Sequence, residues 1–377
     1  MKDVDEESAT RPGEANRTRL ESLLGQLRHD PQNQELRRDA ISAACDTQQW
    51  LVAHELLEAG LQAHPGDTNL LAHARRLEPA EVRYHLARAL HLQRHSEKAF
   101  RQLQSPLVVL EIPHARVLRA RCLHHLQRRV EAIADCRAHL ALQPEDPEAN
   151  GLMALLLYER DQRGAVRHYV DCALNSIPTQ CEALLALAYL QLDARQERQA
   201  FLTLKRLLGA HPDCGPAWLG LALIELGALQ LEAARCNVLL ALKFTPQHIG
   251  TWHTFAWVEI MTGNVADAER AFQQALALDR NSGESHGGLA IIAALRGAED
   301  EARRGVKRAL TLDFDSLLAR YAETLLLEQA GCEREARDAL AQILTRPAPR
   351  GELTYRDLVV RKLMHARAQR SASPGRE

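Results

Sequence analysis

The sequence predicts an all-α chain assembled from one repeated helix–turn–helix block. Three observations predict it. Aromatic residues make up 4% of the 377 positions and only 15 Pro and 20 Gly interrupt the chain. The abundant Ala and Leu are good helix formers. No stretch alternates apolar and polar residues for long, as a half-buried strand would. Several residue series advance by a fixed step of 34 positions. One is Pro144, Pro178, Pro212 and Pro246; another is Ala120, Ala154, Ala188, Ala222, Ala256 and Ala290; a third is Ala200, Ala234, Ala268, Ala302 and Ala336. Composition alone does not lock independent series to one period.

Each block reads as two helices joined by a short polar turn, such as Thr262-Gly263-Asn264 or the stretch 296–300. Mid-helix Ala lets two backbones approach closely. Pro after the second helix stops it and starts the next block. In order, the blocks fall at 34–67, 80–112, 113–146, 147–180, 181–214, 215–248, 249–282, 283–316 and 317–345. The step from Pro65 to Pro144 exceeds two periods by 11 residues. An insert is therefore expected at 67–80, either an extra helical turn or a break in the stack.

The stretch Trp252-x2-Phe255-Ala256…Ala268-x3-Phe272-x2-Ala275 resembles the tetratricopeptide repeat, a 34-residue helix–turn–helix family. Residues 215–248 match nearly as well, through Trp218, Leu221, Ala222, Ala234, Ala241 and Pro246. The sequence departs from the family pattern at Glu259, where Tyr is usual, and at Arg280, where Pro is usual. Arg116, His286 and Arg320 stand where Trp would. The resemblance implies a right-handed superhelical solenoid of antiparallel helix pairs over 19–345, with the first helix of each pair on the concave surface. A stack of this kind needs an end with one polar face. Thr354 and Asp357 look like a capping box for a C-terminal capping helix within 346–369, after a Pro-broken linker. That end is basic, with eight basic and three acidic residues over 346–377. Segments 1–18 and 370–377 are expected to be disordered.

The composition excludes several functions. A formal net charge of −2 offers no global field for nucleic acid or membrane. No apolar run reaches the ~18 residues of a membrane span. The polar, acidic opening residues do not read as a secretory signal. Eight Cys without a CxxC suit buried free thiols in a reducing cytoplasm. Only six of the 47 basic residues are Lys, an Arg bias that points to a GC-rich, bacterial genome. There is no phosphate loop, nucleophile elbow or zinc-protease motif, so no enzyme and no cofactor is expected. The 17 His include the pairs His91/His95 and His124/His125, but no Cys or carboxylate joins them at ligand spacing on the same helix. No metal site is expected there.

What remains is a surface. Trp252 and Trp257 are five residues apart, so on one helix their rings point about 140° apart. The resemblance assigns Trp252 to the repeat core and Trp257 to the concave groove. The same mapping puts Tyr189, Leu192, Leu223, Leu226, His253, Trp257, Ile260 and Ile291 in an apolar central groove. At the N-terminal end it puts Arg88, Arg121 and His124, which could hold an acidic end of a partner. The family's carboxylate clamp uses Lys and Asn at groove positions; here these hold mostly Leu, Tyr, His and Trp, which argues against chaperone-tail binding. The expected function is a non-catalytic cytoplasmic scaffold or adaptor that takes a peptide or protein segment in the groove. The alternatives are a chaperone or assembly factor for a bacterial secretion, pilus or polysaccharide export system, and an accessory subunit of an enzyme complex. Internal packing of the stripe, or coverage by the chain's own termini, would abolish the groove.

Overall fold

The computed structural model describes residues 12–64 and 67–346. All regular structure among them is α-helical. These residues form two compact bodies, one running to Ser176 and one starting at Ile177. The expected linker, capping helix and tail at 347–377 lie outside the described residues, as do residues 1–11.

In the N-terminal body, α1 (Pro12–His29) precedes the first repeat. It therefore includes residues 12–18, which were expected to be disordered. The helix is held where it has something to bury: Leu20 and Leu23 join Ile41, Ala44 and Leu57 in a core with α2 (Gln34–Asp46) and α3 (Trp50–Ala63). The insert at 67–80 contains a short helix, α4 (Thr68–Arg75), whose N-cap Asp67 accepts from the Asn69 and Leu70 amides. Leu70 and Leu77 plug it into the same core. The second repeat has α5 (Ala80–Leu92), then a broken partner: α6 (Ser96–Gln102) and α7 (Pro106–Glu111). Pro106 cannot sit inside a helix, so α6 stops and α7 starts at the proline. α8 (Ala115–His125), α9 (Arg129–Leu140), α10 (Pro147–Glu159) and α11 (Arg163–Ser176) complete the body as two regular pairs.

The C-terminal body is five helix pairs at the predicted blocks. They are α12 (Cys181–Asp193) with α13 (Glu197–Ala210), and α14 (Gly215–Gly227) with α15 (Leu231–Phe244). Then come α16 (Ile249–Met261) with α17 (Val265–Leu278), α18 (Gly283–Leu295) with α19 (Glu299–Leu312), and α20 (Leu317–Gln329) with α21 (Glu333–Thr345).

Local chemistry repeats with the same period as the sequence. Asp146, Gln180, His248, Ser282 and Ser316 each cap the first helix of the following pair by accepting from the amide three residues on. That satisfies one of the donors a helix start leaves unpaired. Gln127, Asp161, Arg195, Leu229, Gly263, Gly297 and Gly331 all take positive φ where the first helix of a pair ends. This left-handed residue closes the helix and turns the chain into the second one.

One repeated bond revises the reading of the degenerate positions. Trp218 and Trp252 donate from Nε1 to the carbonyls of Pro212 and Pro246, six residues back, at 2.8 Å. Asn150, His286 and Arg320 make the same bond to Pro144, Arg280 and Phe314 at 2.9–3.2 Å. The polar substitutes keep the hydrogen bond and give up part of the apolar area.

Packing is closest around α18. A Cβ on Gly287 would lie 2.5 Å from the Ala319 amide nitrogen, and one on Gly288 2.3 Å from the Phe272 ring. Small residues here let α17 and α20 reach the α18 backbone. The core they enclose contains Ala256, Phe272, Ile291, Ile292, Val306 and Leu326. Among the described residues, no helix is long and apolar enough to cross a membrane.

Candidate binding surface

In the C-terminal body the first helices of successive pairs are α12, α14, α16, α18 and α20. Residues four apart on a helix share a face. Leu223 on α14, Met261 on α16 and Leu295 on α18 occupy positions nine, thirteen and thirteen of their repeats. They are 48%, 43% and 45% exposed, high for side chains of this type. Tyr189, Leu192, Leu226, Trp257 and Ile260 are half-buried. The surface is apolar, but part of it is already used in packing.

Three expected groove residues stand differently. Ile291 is 1% exposed and belongs to the core. It lies one helical turn from Gly287, on the face where α18 and α20 close together, so its side chain is enclosed between them. Trp257 is half-buried against the same core, and its ring centroid is 6.1 Å from that of Tyr321 on α20. Trp252 is also half-buried against this core. Both rings thus pack, on different sides of α16, and Trp257 is an edge of the core rather than a free groove ring. His253 Nε2 lies 2.8 Å from the Ser285 hydroxyl, and burial pushes its pKa down. Its ring is held as a neutral strut between α16 and α18.

Two of the three basic N-terminal residues, Arg121 and His124, are also engaged. Arg88 is exposed on α5. Arg121 pairs with Glu148 at 2.9 Å, and His124 with Glu159 at 2.9 Å. Arg129 reaches the same Glu159 at 2.7 Å. Burial would raise the Glu159 pKa, but the bonds from His124 and Arg129 outweigh it and hold the carboxyl below its usual value. Arg121 and His124 therefore join one repeat to the next through α10 carboxylates and are not positioned as an anion clamp. The spacing within α8 does not reveal this, because both carboxylates come from the following repeat.

The fold also assembles groups that are distant in sequence. Cys181 and Cys214 bring their sulfurs to 3.9 Å, well beyond a disulfide's ~2.05 Å. In the N-terminal body His114, His139 and Asp146 place three ligand atoms within 4.8 Å of one another. Neither grouping has the spacing of a helical motif. Among the described residues, two depressions are open clefts, one at Asn264, Leu295 and Arg296 and one at Arg303, Leu310 and Leu326.

Comparison with known proteins agrees with the repeat reading. Residues 254–313 match the family model for the tetratricopeptide repeat. No curated protein sequence matches significantly. A solved structure of an IFIT1 monomeric mutant with Gppp-AAAA superposes with a TM-score of 0.56 at 17% identity, covering 86% of each chain. PilF of Pseudomonas aeruginosa gives 0.44 at 16% identity over 52% of this chain and 90% of its own. A tetratricopeptide repeat protein of Parabacteroides merdae gives 0.41 at 14% identity over 66% of this chain and 98% of its own. The 34-residue period and the capped helix pairs thus extend across the described residues the helical-repeat solenoid fold that the tetratricopeptide repeat match marks at 254–313.

Proposed function

We propose that the protein is a non-catalytic interaction scaffold whose C-terminal body binds a protein segment along the first helices of its repeats. The observation that carries this reading is the exposure of Leu223, Met261 and Leu295 on one helix face of three consecutive repeats. Exposed apolar residues scattered singly need no explanation, but a recurring row bordered by half-buried aromatics suits a partner's apolar side chains. Tyr189, Trp257 and Tyr321 supply the rigid aromatic border. A cytoplasmic location fits the eight free thiols.

The test uses residues whose replacement leaves the core intact. Leu223→Glu with Leu295→Glu should abolish capture of a crosslinked partner while the melting temperature changes little. Leu202→Glu on α13, an exposed leucine on a second helix (60% exposed), is the control and should retain the partner. The partner's identity separates the forms of this function. An unfolded export substrate indicates an assembly chaperone, a catalytic polypeptide an accessory subunit, and a folded regulator an adaptor. Equal capture by all three proteins would refute the surface.

A further inference from the structure

We propose that His114 Nδ1, His139 Nε2 and Asp146 Oδ2 form a binding site for one divalent transition-metal ion, zinc in the first instance, at the junction of α8, α9 and α10. This inference is independent of the reading of the C-terminal body.

The geometry is the first argument. His139 Nε2 lies 3.1 Å from Asp146 Oδ2, and His114 Nδ1 lies 3.5 Å from the same oxygen. A tetrahedral zinc with bonds of about 2.0–2.1 Å to N and O needs ligand atoms roughly 3.3–3.4 Å apart. Two of the three edges are already near that length, and all three ligand atoms lie within 4.8 Å of one another. Two imidazoles and a carboxylate are a donor set that zinc and its neighbours in the transition series accept. His114 is the exposed member, with 59% of its side chain accessible, so an ion can enter and a water can complete the fourth position.

The second argument is the order of the site. Asp146 is the N-cap of α10, and its Oδ1 accepts from the Ala149 amide at 2.8 Å. That bond fixes the carboxylate and leaves Oδ2 for an ion, the part an outer-shell partner plays. His139 sits in the last turn of α9, where the helix end carries partial negative charge and favours a cation.

The repeats supply the third argument, as an internal control. The position of His139 is Ala173, Leu207, Ala241, Ala275 and Ala309 in the following repeats. In this repeat alone a buried imidazole, 2% exposed, replaces a small or aliphatic residue. The N-cap does not require it, because Ser282 and Ser316 cap their helices with Ala275 and Ala309 at that position. A bound ion explains why an imidazole is kept in the core there. It would tie the end of α9 to the start of α10 and fix the junction between repeats 113–146 and 147–180.

The experiment titrates the metal-stripped full chain with Zn2+ by calorimetry and with Co2+ by visible absorption. Two variants remove one ligand each: His114→Ala, which alters an exposed side chain, and Asp146→Ser, which keeps a capping oxygen. Wild type should take up one more equivalent of Zn2+ than either variant, and at least tenfold more tightly than any residual binding. Co2+ should give the intense bands of a four-coordinate site in wild type only. Zn2+ should raise the melting temperature of wild type and leave that of His114→Ala unmoved. The same stoichiometry and the same metal-dependent melting in all three proteins would overturn the site. The other histidines and thiols would then account for the binding, leaving His139 as a hydrogen-bond donor to Asp146.

Discussion

At the scale of the residue, the departures from the repeat pattern are where polar groups bridge helices. Glu259 stands where Tyr is usual and is fully buried. It accepts from Arg235 Nε at 2.6 Å and from Asn264 Nδ2 at 2.8 Å. Glu225 and Gln191 occupy the same repeat position and accept from Asn237 at 2.6 Å and Thr203 at 2.8 Å. Removing one partner of a fully buried ion pair costs about 3–5 kcal/mol, and the partly exposed Arg235 side chain puts this pair below that range. Arg235→Leu should therefore cost about 2–3 kcal/mol in urea unfolding, and adding Glu259→Tyr should recover much of it. Wild-type-like stability of Arg235→Leu would contradict the buried carboxylate. Burial also pushes the Cys122 thiol up to about 12. It should resist alkylation in the native chain at pH 8 while the exposed Cys236 reacts. Mass spectrometry of the labelled chain decides. The departure at Glu259 was visible in the sequence, but its partners were not, because Arg235 lies 24 residues away in the previous repeat.

At the scale of the element, boundaries follow from a cap and a left-handed turn that recur every 34 residues, which is why the block limits were legible. The break between α6 and α7 was not, because it depends on Pro106, which belongs to no periodic series. The left-handed position is occupied by Gly263, Gly297 and Gly331 but also by Leu229, at φ 58° and 66% exposed. A non-glycine residue there costs roughly 1–2 kcal/mol, and Gly removes that strain at some entropic expense. Leu229→Gly should stabilise by roughly 0.5–1 kcal/mol, and Gly263→Val should destabilise by at least as much. Urea titration of the two variants checks both signs. At the α18 contact, Gly288→Leu should overpack against Phe272 and cost about 1–3 kcal/mol or more.

At the scale of the whole molecule, the number and order of the repeats could be read from periodicity, since each must bury the same positions. The solvent state of groove residues could not. Ile291 shares its repeat position with Leu223, yet Gly287 draws α20 in and buries it. The ion pairs of Arg121 and His124 escaped for a similar reason: they form between repeats. Acid stability should reflect the histidines that burial holds below their usual pKa, His54, His73, His248 and His253. Their folded pKa lies below the unfolded value of about 6.5, so the unfolded chain binds more protons in that window. Stability should be full above about pH 6.5 and fall as pH drops below it toward the folded values. His253→Gln should flatten part of that slope in urea unfolding from pH 7.5 to 5.

The most direct measurement of the proposed function is a crosslinked capture from a lysate of the encoding organism. Wild type, Leu223→Glu/Leu295→Glu and Leu202→Glu would be read side by side by mass spectrometry. The binding-surface account predicts a protein retained by wild type and Leu202→Glu and lost from the double variant, and that this protein binds purified wild type directly. Identical captures in all three would contradict it and leave the exposed leucines as surface without a partner.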